Sequence, residues 1–79
     1  MVKTIYIQLL DEGTRVYRPV PAIEIREGIY EVKGLEIYNP EDEIWEFPPN
    51  TCVIVEKQNF DGENVLVAIK ETQIGNVSK

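Results

Sequence analysis

The stretch KTIYIQL, residues 3–9, alternates apolar and more polar side chains, and this period of two residues recurs through most of the chain. Ile5, Ile7 and Leu9 alternate with polar or amphipathic side chains, which is the pattern of a strand with one buried face. The segment after it, Asp11–Gly13 (DEG), has the chemistry of a tight hairpin loop that ends in a left-handed glycine and forms a bulge. We therefore expect an antiparallel hairpin at the start of the chain.

Turn signals of the same kind separate the later apolar runs. REG at residues 26–28 repeats the first turn, and Asp61-Gly62 is among the strongest two-residue hairpin signals. The apolar runs at residues 29–33, 52–55 and 65–71 are predicted as strands, and the run at 52–55 as one covered on both faces. Two places are less regular: Gly34 either kinks its strand or turns the chain toward Leu35–Tyr38, and Pro40–Ile44 forms at most one helical turn capped by Asn39.

The segment RVYRPVPAIEI, residues 15–25, is rich in strand-forming residues but contains two prolines. Neither Pro19 nor Pro21 can donate a hydrogen bond to a sheet, so this strand must lie at an edge or bend there. Its apolar positions also change parity, and we expect a bulge or sharp bend between residues 19 and 22. The positions concerned are Val16 and Val20 before the change and Ile23 and Ile25 after it.

Short strands joined by tight loops predict an all-β fold. We expect a small SH3-like barrel of five to six short antiparallel strands, with an OB-like barrel as the alternative. The barrel domain is predicted to span residues 1–71, followed by a flexible C-terminal tail at residues 72–79. With 79 residues, one cysteine and no histidine, the chain has no intramolecular disulfide and no plausible zinc ligand set, so packing must provide its stability.

The formal charge of −6 is unevenly distributed along the chain. No Lys or Arg lies between Lys33 and Lys57, an interval that contains six acidic residues. Such a surface repels nucleic-acid phosphates and is compatible with a basic partner, although acids spread over a solvated face for solubility are the favoured interpretation. No window approaches the length of a membrane span, and the first apolar run is too short for a signal sequence, so we expect a cytoplasmic protein that does not contact membranes.

The sequence offers no set of residues that is typical of catalysis. Without histidine, neither a Ser/His nor a Cys/His nucleophile can be assembled. Cys52 lies in an apolar strand, where burial would raise its thiol pKa and leave it inert. The adjacent acids Glu41–Glu43 lie on a tight loop and point apart, and the isolated glycines form no phosphate loop. We therefore expect neither enzymatic activity nor a cofactor nor a bound metal.

Three segments carry a resemblance to known proteins: LLDEGTRVYRPVPA, GIYEV and EDEIWEFPPNTCV. The chain resembles a group of small bacterial all-β proteins with EGTxVxRPV and WEFPP segments and no assigned activity, over residues 3–70. The resemblance implies a shared order of segments and no mechanism. Such proteins are expected to have glycine after the paired prolines, where this chain has Asn50, which tolerates the left-handed conformation. FPPNTCV is also superficially similar to a segment of eukaryotic SH3 domains, from which no binding residue is transferred.

The single tryptophan lies in IWEF, residues 44–47. In an extended segment either Trp45 and Phe47 or Ile44 and Glu46 face inward. The first pairing is favoured, because an unpaired buried Glu46 would cost several kcal/mol. An exposed Trp45 would instead form an acidic aromatic patch able to bind a basic or proline-bearing peptide. The predicted binding residues are Trp45, Tyr38, Glu43 and Glu46.

Three functions remain open at this point. We expect a non-enzymatic module, a monomer or weak oligomer, that binds a basic or proline-bearing protein or peptide through an acidic, aromatic surface. The first alternative is a nucleic-acid-binding barrel, and the second is an accessory or inhibitor subunit of an enzyme encoded elsewhere. The nucleic-acid alternative would use Arg15, Arg18, Arg26 and Lys33, with Tyr17 and Tyr30 as stacking platforms.

Overall fold

The computed structural model describes residues 2–73, which form six strands and no helix. The predicted all-β fold is thereby confirmed. Residues 74–79, most of the predicted tail, lie outside the described residues. The strands are β1 (Val2–Leu10), β2 (Val16–Arg26), β3 (Ile29–Val32), β4 (Ile44–Trp45), β5 (Cys52–Phe60) and β6 (Glu63–Glu71).

Five of the strands close into a ring in the order β1, β2, β3, β5, β6. If β4, which pairs only with β1, is left aside, each strand of the ring lies next to the strand that precedes or follows it along the chain. The ring is therefore a meander rather than the Greek key of an OB fold. A meander of five antiparallel strands brings its first and last members together in the same direction. The closing contact is accordingly parallel, through the single pair Tyr6 and Val67, whereas the other pairings are antiparallel. The result is the small barrel-like fold predicted from the sequence.

The turn residues have the predicted left-handed conformations, but the first loop spans residues 11–15 and the β1–β2 register shows no bulge. Gly13 in the first hairpin has φ of 77°, in the left-handed region. Asp61 and Gly62 both have positive φ, as a two-residue type I′ turn requires. Asn50, at the position where glycine was expected, has φ of 75°. Local side-chain chemistry therefore fixes how the chain reverses between strands.

The predicted change of parity in β2 does not occur. Its ladder with β1 runs without interruption from residue 16 to residue 23, and Val20 and Ala22 are both buried. No bulge lies between residues 19 and 22; the irregularity lies between Glu24 and Arg26, beside the turn. Ile25, expected to face inward, is 43% exposed. The prediction was wrong because the single methyl of Ala22 carries too little hydrophobic signal to reveal the core-facing parity.

The two prolines of β2 lie where its pairing with β3 ends. The Pro21 carbonyl accepts a hydrogen bond from the Lys33 N–H at 2.9 Å, so this side of Pro21 faces the end of β3. Pro19, two residues before Pro21 in the chain, faces the same side, and no residue of β3 pairs with it. Pro21 cannot donate the reciprocal hydrogen bond to Lys33, and the β2–β3 ladder ends at Ala22. On its other side β2 pairs with β1 across both prolines, so the strand lacks a neighbour only on one side and only before this point.

Gly34 turns the chain out of β3. Its carbonyl accepts hydrogen bonds from the N–H groups of Ile37 and Tyr38, both at 2.9 Å, so residues 35–38 form a turn and not a strand. Gly34 has φ of 98°, and a Cβ there would lie 3.2 Å from Cη2 of Trp45. This close approach lets the turn cover the end of the barrel core.

The core occupies the inside of the ring. Ile5 and Ile7 of β1, Val20 of β2, Val32 of β3 and Val53 of β5 are at most 1% exposed. The buried residues of β1, β2 and β3 alternate along the strand, whereas β6 buries two adjacent residues, Val67 and Ala68. None of the residues from 2 to 73 belongs to a helix long and apolar enough to cross a membrane.

Candidate functional site

Trp45 belongs to the core. β4 pairs with the end of β1, with Leu9 opposite Trp45. Trp45 is 1% exposed and Phe47 is 7% exposed, whereas Glu46 is exposed to solvent. The predicted inward pairing of Trp45 and Phe47 is confirmed, because an extended segment can bury only one parity.

The indole N–H of Trp45 has a fixed acceptor. Nε1 donates a hydrogen bond to Oε1 of Glu43 at 3.0 Å. Tyr38, half-buried, packs its ring against the indole with centroids 4.7 Å apart. A buried donor without a partner costs about 1–3 kcal/mol, so the position of the Glu43 carboxylate is coupled to the packing of the tryptophan.

Arg18 provides a second contact for the same carboxylate. It has the core-facing parity of β2, opposite Ile7, but is only the third residue of the strand, and its side chain is partly exposed. Arg18 Nε lies 3.0 Å from Oε1 of Glu43 and is itself inaccessible to solvent. Its N–H is not aligned for a hydrogen bond, so the contact is an ion pair. Glu43 thus connects the core tryptophan to a surface cation.

The acids around Glu43 are positioned by one helical turn, as the sequence predicted. The Asn39 side-chain Oδ1 accepts a hydrogen bond from the Glu41 N–H at 3.0 Å, and the Asn39 carbonyl accepts one from the Glu43 N–H at 3.1 Å. This capped turn presents Asp42 and Glu43 next to the end of β1.

Two shallow depressions adjoin at this turn, with volumes of about 160 and about 170 Å³. Both are lined by Asp42 and Glu43, so they form one continuous surface, which we call the acidic face. Its five carboxylates against one guanidinium give a formal charge of −4, out of −6 for the chain. The acidic face consists of Leu10, Asp11, Glu12, Arg18, Ile37, Asn39, Pro40, Glu41, Asp42, Glu43 and Ile44.

Apolar side chains are exposed within the acidic face. Leu10 and Ile44 lie opposite each other in the β1–β4 ladder and are 39% and 38% exposed. Ile37, from the turn after β3, is 45% exposed and lines the first depression. The surface therefore combines negative charge with aliphatic contact area.

The structure brings together only part of the predicted binding set. Glu43 lines both depressions, whereas Tyr38 and Trp45 lie behind it, and Trp45 is too buried to touch a partner. Glu46 is exposed but lines neither depression. The sequence reasoning missed Leu10, Asp11, Glu12 and Arg18, which join the site only through the pairing of β1 with β2 and β4.

Three further residues singled out in the sequence, Cys52, Tyr30 and Lys33, lie outside the acidic face. Cys52 is half-buried rather than enclosed, and burial, followed by the nearby Glu31 carboxylate, raises the pKa of its thiol above the ordinary value. Tyr30 is 2% exposed, so the expectation that it could serve as a stacking platform was wrong. Lys33 pairs with Glu31 at 3.2 Å. Within residues 2–73 no group of three His, Cys, Asp or Glu side chains is arranged to hold a metal ion.

A second aromatic cluster lies on the outside of the barrel. Tyr6 alternates with the buried Ile5 and Ile7, so its ring lies on the outer side of β1. Phe60, near the tip of the β5–β6 hairpin, packs edge-on against Tyr6 at 5.5 Å and at a tilt against Tyr17 at 5.1 Å. The hairpin tip therefore covers one part of the outer β1–β2 surface.

No protein-family model matches the chain, and comparisons with curated proteins and with solved structures give no match.

Proposed function

We propose that the protein is a non-enzymatic interaction module that binds a basic protein or peptide segment on the acidic face. The observation that carries this proposal is the union of two depressions around Asp42 and Glu43, with a formal charge of −4 beside the exposed Leu10 and Ile44. Such a surface attracts cations over a Debye length of about 8 Å at physiological ionic strength.

The size of the depressions supports a macromolecular partner. Small-molecule pockets typically enclose about 300–1,000 Å³ and bury most of their ligand. The two depressions are about 160 and about 170 Å³ and open to solvent. Shallow, adjoining hollows of this kind suit successive side chains of a bound segment rather than an enclosed substrate.

Aliphatic contacts complement the charge. Lys and Arg can lay their methylene stems on apolar surface while the charged ends reach nearby carboxylates. Leu10 and Ile44 provide that apolar surface, and acids flank it from the loop after β1 and from the Asn39 turn. A segment with alternating basic and aliphatic residues therefore matches the acidic face best.

The aromatic contribution to binding is indirect in this proposal. Trp45 orders the Glu43 carboxylate through its indole N–H and does not meet the partner. A proline-bearing segment, which would stack on exposed rings, is therefore less suited than a basic one. The same acidic face could serve a basic surface of an enzyme, so an accessory-subunit role is a special case of this proposal.

The proposal includes a class of barrel and a cellular location. We assign the ring to the SH3-like barrels, supported by its meander order. A bacterial cytoplasmic setting is supported by the resemblance of the DEGT and WEFPP segments and by a single cysteine.

The test is a titration of the full chain with a short peptide of alternating Lys and Leu, followed by NMR. We expect saturable shifts at Leu10, Ile44 and the Asn39 turn, with affinity that falls steeply as salt rises. The double variant Glu12→Lys with Glu41→Lys should abolish binding. The matched control, Glu56→Lys with Glu63→Lys, makes the same change of net charge on the exposed β5–β6 hairpin and should retain most of it. Equal losses in the two variants would contradict a localised site.

A further inference from the structure

The tip of the β5–β6 hairpin contains a dipeptide that can modify itself, Asp61-Gly62. The main-chain nitrogen of Gly62 can attack the carboxyl carbon of the Asp61 side chain, and glycine hinders this attack least because it has no Cβ. A C–N bond forms to close a cyclic imide, and the N–H proton leaves with the carboxyl hydroxyl as one water. Water then opens the ring at either carbonyl. Opening at the main-chain carbonyl yields isoaspartate, in which the chain runs through the former side chain.

The conformation of the turn opposes ring closure. Asp61 and Gly62 are both exposed, so burial does not protect them from water. Their φ angles of 53° and 88° belong to a tight type I′ turn, which fixes the main chain on both sides of the reacting nitrogen. Attack requires the carboxyl carbon to approach that nitrogen to about 3–3.5 Å with aligned orbitals. The imide ring therefore forms only after the turn opens by rotation about the Cα–C bond of Asp61.

The attacking nitrogen is also held by a side chain. The Gly62 N–H donates a hydrogen bond to Oδ1 of Asn59 at 3.0 Å. An amide oxygen accepts such a bond but is too weak a base to remove the proton. The hydrogen bond therefore has to break before the nitrogen can react.

A neighbouring amide orients Asn59 for this contact. Asn59 and Asn64 lie opposite each other in the β5–β6 ladder, and Nδ2 of Asn59 donates to Oδ1 of Asn64 at 3.4 Å. One end of an amide donates and the other accepts, so the contact with Asn64 directs Oδ1 of Asn59 toward Gly62. The ladder register thus provides the restraint on the turn.

We propose that Asp61-Gly62 is a site of isoaspartate formation that the folded hairpin keeps closed, with Asn59 as its positioning residue. Isoaspartate adds one methylene to the main chain, which a two-residue turn cannot accommodate in the same register. Phe60 precedes the site and packs on Tyr6 and Tyr17, so the modification displaces the outer aromatic cluster. The acidic face is formed by other loops and keeps its geometry.

Peptide mapping of the aged full chain tests the site. Samples are kept at physiological pH and temperature, either native or unfolded in guanidinium chloride, and then digested with trypsin. Cleavage after Lys57 and Lys70 releases residues 58–70 as one peptide, and chromatography with electron-transfer fragmentation distinguishes its two isomers. We expect the native chain to form isoaspartate at least about tenfold more slowly than the unfolded chain. Equal rates in the two samples overturn the proposal.

Variants at Asn59 test the positioning role. Asn59→Ala removes the acceptor and should raise the native rate about two- to tenfold, the equivalent of one hydrogen bond of about 0.5–1.5 kcal/mol. Asn59→Asp keeps an acceptor oxygen and should retain most of the protection. Gln58→Ala is the matched control, because the amide that it removes bonds to Glu56 and not to the turn. Equal rates in Asn59→Ala and Gln58→Ala overturn the role of Asn59.

The separated isoaspartate form tests the structural consequence. Its NMR shifts at Tyr6 and Tyr17 should differ from those of the unmodified chain, whereas its affinity for the basic peptide should be the same. Unchanged tyrosine shifts contradict the coupling of the turn to the outer aromatic cluster.

Discussion

The barrel has two aromatic clusters, which differ in how they are tied to the rest of the molecule. Inside, Trp45 is 1% exposed, packs against Tyr38 and donates to a Glu43 carboxylate. Outside, the half-buried Phe60 packs its ring against two tyrosine rings, Tyr6 and Tyr17. The inner cluster couples the core to the charged surface, whereas the outer cluster only covers a sheet. We therefore expect changes to the inner cluster to affect both stability and the acidic face.

The largest effect is expected from Trp45→Ala. Removal of a fully buried tryptophan leaves a cavity and should reduce the free energy of unfolding by about 3–5 kcal/mol, a large share of the roughly 5–15 kcal/mol of a small domain. Urea denaturation followed by circular dichroism measures the loss. Trp45→Phe should cost clearly less, because most of the ring volume stays. A loss of under 1 kcal/mol for Trp45→Ala would show that the inner cluster contributes no more to stability than a surface contact does.

Gly34→Ala should come next. The residue has φ of 98°, and its new Cβ would press on Cη2 of Trp45 at 3.2 Å. Strain of this kind costs about 1–3 kcal/mol, and the contact with the inner cluster places the effect at the upper end. Gly13→Ala is the control, since its φ of 77° is also positive but a Cβ there meets nothing within 4 Å. Equal urea midpoints for the two variants would show that the turn does not press on the tryptophan.

Phe60→Ala tests the outer cluster. The ring is half-buried, so its removal should reduce the free energy of unfolding by about 1–2 kcal/mol, less than removal of Trp45. The NMR shifts of Tyr6 and Tyr17 should change while those of the Asn39 turn stay in place. Loss of basic-peptide binding in this variant would contradict the separation of the two clusters.

The smallest effect is expected from Glu43→Gln. The amide oxygen can still accept the indole N–H, so only the charge opposite Arg18 is lost, at a cost of under about 1 kcal/mol for a partly exposed pair. Glu43→Leu leaves the indole N–H without an acceptor and should cost about 1–3 kcal/mol. Indole hydrogen exchange should accelerate in the leucine variant alone. Glu46→Gln, at an exposed residue outside the acidic face, should change nothing measurable.

Local features of the fold could be predicted because each depends on a few adjacent residues. The alternation in residues 3–9 defines a strand, and Asp61-Gly62 defines a turn with two positive φ angles. The parity of IWEF followed from the cost of burying Glu46. Where the local signal is weak the prediction was wrong, as in β2, where Ala22 keeps the core-facing parity that was expected to pass to Ile23 and Ile25.

The candidate site could be predicted only in part. Glu43 and its neighbours lie in one acidic stretch, which the sequence shows directly. Leu10 and Arg18 join them through ladders between strands that are far apart along the chain. No local pattern reports such a ladder, because its partners are chosen by which strands meet when the ring closes.

The amino-acid sequence by itself determined the strand period, the left-handed turns and the inward direction of Trp45, since these depend on local sterics and on the cost of burying charge. Only the tertiary structure decided that Arg18 and Trp45 share one carboxylate and that Leu10 lies beside the acids of the Asn39 turn. Both result from closure of the ring, which brings distant residues together according to the register of whole strands.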